Sequence, residues 1–177
     1  MGRALGTFAI TVGLLATPLA AEQTDRLGRA VRLNDQGRHT EARLLLDTIV
    51  REEPHNHRAL WNRGLVAMED GEHELALDWF DRALAIDGQD AEYHLWRGYA
   101  YAQKLEHSNW FKKLLIAPKI RKSFERAVEL APNHVKARRA LMRYYEQAPG
   151  LLGGGRTKAR EQQEEILRLE AGSGPAP

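Results

Sequence analysis

Small and large apolar residues recur 34 positions apart along this chain. Gly37 and Gly71 are related in this way, as are Ala42 and Ala76, Leu46 and Phe80, and Gly64 and Gly98. A fixed period of this size specifies stacked supersecondary units, each burying its apolar face on a neighbour, in place of one globular core. Stacked helical hairpins present a grooved surface, and such surfaces bind other chains. The 177 residues, 43% hydrophobic and 28% charged, suit one folded domain rather than a disordered chain.

The second unit shows the pattern most fully. From His57 it places Leu60, Gly64 and Ala67 on a first helix, Gly71 at a turn, and Ala76, Phe80 and Ala83 on a second. Gly64 and Ala76 have little or no side chain, so two helix axes can approach, and Phe80 is the large residue that fills the space beside them. Asp87-Gly88 is expected to end the second helix, with glycine in the left-handed conformation. On these residues the chain resembles the tetratricopeptide repeats. The implied fold is all-α, a right-handed α-solenoid of four helical hairpins with insertions in the third and fourth.

The first unit carries Ala30, Leu33, Gly37, Ala42, Leu46, Ile49 and Pro54 in the same frame. In the third, Phe124, Ala127 and Pro132 lie 44 residues after Phe80, Ala83 and Gly88, so ten residues are inserted, expected around His107 to Lys119. In the fourth, about five more fall in Ala148 to Gly155, where Pro149 and three successive glycines cannot hold a helix. The expected repeats are 23–56, 57–90, 91–134 and 135–170, within a domain over 22–171 followed by a Gly/Ser/Pro-rich tail over 172–177. Trp110-Phe111-Lys112-Lys113, Phe124-Glu125-Arg126-Ala127 and the Ala148–Gly155 loop resemble a group of exported bacterial tetratricopeptide proteins with a lengthened, basic third hairpin.

The resemblance implies a groove lined by the first helix of each hairpin. Its family positions carry onto Val31 and Asn34; onto Arg58, Trp61, Asn62, Leu65 and Met68; onto Glu92, Leu95, Trp96 and Tyr99; and onto Lys136, Arg139 and Arg143. Trp61, Trp96 and Tyr99 would form an aromatic floor, and aromatics with a polar edge anchor protein recognition. The flanking Arg and Lys would fix a carboxylate or other anion. The alternative role for Trp61 and Trp96 is packing between adjacent hairpins. The implied partner is a protein or peptide segment.

Charge is unevenly placed. Residues 69–92 hold nine acids and one base, whereas residues 112–143 hold ten bases and two acids. Lys112, Lys113, Lys119, Arg121 and Lys122 form a basic patch that would steer an acidic partner or an anionic surface to one end. The other reading of these charges is a solvated face balanced by nearby acids. Nucleic acid is not expected, because stacking aromatics do not accompany the bases. The insertion Trp110–Pro118 has two readings. It could dip into a membrane interface, giving peripheral contact, or dock on its own repeat; the break expected at Pro118 favours docking.

No enzyme is expected. The sequence has no H-E-x-x-H, G-x-S-x-G or phosphate-loop motif, so no catalytic residue and no cofactor is assigned. His55 and His57 could begin a metal site, but no third ligand stands at useful spacing, and no metal residue is assigned. Cysteine is absent. Arg3, the apolar run Ala4–Ala16 and Thr17-Pro18-Leu19-Ala20-Ala21 have the order of a secretory signal over residues 1–21. The expectation is a periplasmic or exported protein, soluble after cleavage.

Overall fold

A computed structural model describes residues 18–172. Among them are eight α-helices and one 3-10 turn: α1 (Pro18–Asp35), α2 (His39–Glu52), α3 (His57–Glu69), α4 (His73–Ile86), α5 (Ala91–Glu106), α6 (Trp110–Leu130), α7 (Val135–Gln147), the 3-10 turn Gly150–Leu152, and α8 (Arg156–Gly172). Consecutive helices pack as antiparallel neighbours, α1 on α2 through α7 on α8. The first helices also touch across hairpins, α1 with α3 and α3 with α5. The expected leader over 1–21 and tail over 172–177 lie outside the described residues, except for Pro18–Ala21 at the start of α1 and Gly172 at the end of α8. No helix among the described residues is long and apolar enough to cross a membrane.

Short polar residues start the first helices. Asn56 accepts a hydrogen bond from Ala59 N at 3.0 Å, Asp90 from Glu92 N at 2.8 Å, and the His134 ring from Ala137 N at 3.4 Å. Each satisfies a backbone donor that the first turn leaves without a partner. Gly37 and Gly71 close the turns inside the first two hairpins at φ 73° and 75°, a conformation in which a Cβ would be strained. The core runs the length of the stack in two clusters, with Leu46, Leu60, Phe80 and Leu95 among its fully buried side chains.

The third hairpin shows how its extra residues are spent. α5 has 16 residues against 13 in α3, and α6 has 21 against 14 in α4. Three residues therefore lengthen the first helix and seven the second. At 1.5 Å per residue the hairpin tip projects on the order of 5–10 Å beyond its neighbour. In the fourth hairpin the additional residues form the 3-10 turn and the glycine loop, and the turn packs against α6.

Two local expectations are corrected. Gly88 is not left-handed: the chain leaves α4 through Asp87 at φ −127°, ψ 87°, and Gly88 is absent from the positive-φ glycines. It occupies the place of a proline stop, as Pro54 and Pro132 do in their hairpins. Pro118 does not break the inserted segment, because α6 continues through it. Ile116, Ala117 and Ile120 on either side are buried against the core, and that packing outweighs the one backbone hydrogen bond that proline removes.

Candidate binding surface

The repeat pattern assigns a partner surface to the first helices of the hairpins, α1, α3, α5 and α7. On α3, Arg58 is exposed and Trp61, Asn62 and Leu65 are half-buried. The Trp61 indole stacks on Tyr93 of α5, with centroids 5.4 Å apart and planes inclined by 27°. It also packs against both core clusters, so Trp61 joins two hairpins while keeping part of its ring at the surface. Tyr93 is itself buried, and its hydroxyl lies 2.9 Å from His57 Nδ1. Burial, with Asp90 and Asp87 adding, pushes the Tyr93 phenol up to about 12.

Trp96 follows Tyr93 by three residues and so shares its face of α5. It is half-buried and meets Tyr99 edge to face at 5.7 Å, and Tyr99 meets Phe124 at 5.4 Å. Burial raises the Tyr99 phenol, and the nearby Arg143 guanidinium opposes that rise. Val31 and Asn34 are half-buried on α1, and the Asn34 Oδ1 is enclosed without a hydrogen-bond partner. Asn62 Nδ2 donates to the Arg58 carbonyl at 2.7 Å. Met68 and Glu92 are half-buried, and Lys136, Arg139 and Arg143 are exposed on α7.

Three expected features are arranged differently. Leu95 is 1% exposed and belongs to the core, although Trp61, at the same position 34 residues earlier, keeps part of its ring at the surface. Arg139 donates to Glu170 of α8 at 2.5 Å, so its charge is already met. The five basic-patch residues do not gather on one face, since a helix turns about 100° per residue. Lys112 and Lys122 are exposed, and Lys119 lies over the Tyr101 ring at 5.5 Å. Arg121 pairs with Glu125 at 3.0 Å, and Lys113 is half-buried.

The inserted tip is apolar and uncovered. Trp110, Phe111 and Leu115 are 62%, 65% and 71% exposed, and the first two rings lie 4.0 Å apart. Behind them a cavity of about 540 Å³ opens between α5, α6, α7 and the 3-10 turn. Tyr99, Leu105, Phe124 and Leu152 line it, with Lys113 and Arg143 among its polar groups.

One recurring pair escaped the sequence reading. Arg63 meets Asp47 at 2.7 Å, and 34 residues later Arg97 meets Asp81 at 2.8 Å. Each ties the second helix of one hairpin to the first helix of the next. Applying the 34-residue period to charged positions as well as apolar ones finds it. In the next frame, 44 residues on, buried Leu141 replaces the arginine. Among the described residues, no group of three or more His, Asp or Glu side chains could hold a metal ion.

The tetratricopeptide-repeat profile matches residues 27–91, and the solved structures that resemble this one include tetratricopeptide proteins over most of its length. Residues 27–91 are tetratricopeptide repeats by that match, and the helical hairpins continue in the same fold over the described residues. MamA of Desulfovibrio magneticus RS-1 is 19% identical, with TM-score 0.68 over 86% of this chain and 77% of that one. A thermophilic tetratricopeptide protein of Thermus thermophilus is 19% identical, with TM-score 0.69 over 84% and 75%. The first tetratricopeptide domain of Spaghetti, bound to an HSP90 peptide, is 20% identical, with TM-score 0.61 over 71% and 92%. No curated protein matches the chain. At these identities the likeness is one of fold.

Proposed function

We propose that this tetratricopeptide protein is a non-catalytic scaffold of the cell envelope that holds a peptide or protein segment along its first helices. The observation that carries the reading is the run from Trp61 through Tyr93 to Trp96 and Tyr99. Trp61, Trp96 and Tyr99 keep part of their rings exposed on the first helices of two hairpins, with Tyr93 buried against Trp61. Such rings combine apolar area with little side-chain entropy to lose. Arg58 stands at one end and Arg143 at the other, which favours an acidic segment. Spaghetti's domain holding an HSP90 peptide is consistent with this use of the fold. Placement in the envelope rests on the order of residues 1–21.

The test is site-specific photo-crosslinking in native extract, with the double variant Arg58→Glu/Arg143→Glu as control. Both arginines are exposed, so the variant should melt like the parent. It should lose the adduct; a persistent adduct would reject the groove.

A second reading is attachment to an anionic membrane or envelope surface through the third hairpin. The exposed Trp110, Phe111 and Leu115 beside Lys112 favour it, since aromatic and aliphatic residues enter the interface beneath basic ones. Flotation with vesicles of anionic phospholipid tests it. Binding should disappear in Trp110→Ser/Phe111→Ser and fall steeply with salt; absence of flotation removes the reading.

A further inference from the structure

The cavity between the third and fourth hairpins is built by both insertions. Lys113 comes from the extension of α6, Leu105 and Glu106 from the end of the lengthened α5, and Pro149 and Leu152 from the loop of the fourth hairpin. Elsewhere the first helices touch directly, α1 with α3 and α3 with α5. Between α5 and α7, Glu92 meets His134 at 2.6 Å at one end, and toward the hairpin tips a cavity opens with the 3-10 turn along one side. Tyr144 Oη fixes that turn by donating to the Leu152 carbonyl at 2.8 Å. The extra residues leave between them a cavity of about 540 Å³ that opens to solvent on one side. That volume falls within the range of about 300–1,000 Å³ usual for small-molecule sites.

The lining is divided in character. Tyr99, Leu105, Phe124 and the neighbouring alanines make the interior apolar, while Lys113, Arg143 and Glu106 supply the charge. Among the described residues, neither the Lys113 ammonium nor the Arg143 guanidinium is held by a carboxylate, unlike Arg121 with Glu125 or Arg139 with Glu170. Glu106 is exposed, so two cations face one solvated acid. An apolar interior favours an alkyl chain, and two unpaired cations favour a carboxylate or phosphate at its end.

From this division we infer that the cavity binds a single-chain amphiphile with an anionic head, the chain lying over Tyr99 and Phe124 and the head meeting Lys113 and Arg143. The cavity shares Tyr99 and Arg143 with the groove reading but needs no protein partner, so decanoate binding and the crosslinked adduct are separate readouts and either can fail alone.

The experiment is calorimetric titration of the full chain with decanoate below its micelle concentration, with neutral 1-decanol in parallel. One decanoate should bind per chain. Ala102→Phe, which places a ring in the cavity from α5, should abolish binding of both ligands while leaving the helical melt unchanged. Lys113→Glu/Arg143→Glu should weaken decanoate by about tenfold or more and leave 1-decanol unaffected. Absence of saturable decanoate binding overturns the inference. So does full affinity in a folded Ala102→Phe protein, or an equal loss of both ligands in the charge variant. If Ala102→Phe does not fold, the charge pair alone decides.

Discussion

Phe80 of α4 lies so closely over Gly64 of α3 that a Cβ at Gly64 would come within 3.0 Å of the ring, and Phe124 covers Gly98 of α5 in the same way. The first hairpin solves the same problem with Ala30 and the smaller Leu46, both fully buried. The summed size of the facing residues is kept while its division changes, as close packing requires. In the fourth hairpin the corresponding positions are Met142 and Gln163, both lining a second cavity between α7 and α8. The tight pairing therefore ends there.

Gly64→Ala and Gly98→Ala should each destabilise the protein by about 1–3 kcal/mol, the usual cost of overpacking a core. The expected drop in melting temperature is about 2–12 °C by circular dichroism. An unchanged melt in either variant would show that the phenylalanine ring can move aside.

The repeated Asp–Arg pair should be unequal in its two copies. The Arg63 side chain is 6% exposed and that of Arg97 is 30%. Removing the carboxylate from a buried arginine strands the charge, at about 3–5 kcal/mol, whereas exposed pairs contribute about 0–1 kcal/mol. Asp47→Ala should therefore shift the urea midpoint clearly further than Asp81→Ala. Equal shifts would contradict the burial argument.

The period of 34 made the fold legible, because helix approach demands small residues at fixed places and these are visible as Gly64, Ala76 and their counterparts. The ten-residue insertion was legible as a count but not in its division into three residues on α5 and seven on α6, which tertiary packing decides. Pro118 and Gly88 depart from local propensity for one reason. Tertiary context decides both: Ile116 and Ile120 anchor the helix through Pro118, and the position of Gly88 needs only a stop. The cavity was not legible at all, since Lys113 and Arg143 are 30 residues apart and meet it only through the turn at Leu152.

Gly154 carries the loop of the fourth hairpin. A Cβ there would collide with the carbonyl of Ala148, a backbone group that cannot swing away. Gly154→Ala should displace the loop, cost about 1–3 kcal/mol or more, and loosen the hydrogen bond from Tyr144 to Leu152. Hydrogen exchange should rise in residues 148–155 and stay unchanged in α3 and α4. Unaltered exchange in the loop would contradict the close approach.

Acidification should act through His94. Burial holds its imidazole below the ordinary value, Arg97 and Arg126 add to that, and the Gly88 carbonyl and Asp90 oppose it. The unfolded chain therefore binds a proton that the folded chain resists. Stability is intact above about pH 6.5, the unfolded value, and is lost as pH falls below it toward the folded value. His94→Gln should flatten the difference in urea midpoint between pH 7.5 and pH 5.5. An identical slope in the variant would mean that other groups set it.

The groove reading meets its most direct test in a photoreactive residue placed at Asn62, compared with one at Asp78 on the exposed side of α4. The account predicts an adduct with a discrete partner from position 62, none from position 78, and loss of that adduct in Arg58→Glu/Arg143→Glu. An adduct that forms equally from position 78, or that survives the charge reversal, would contradict it.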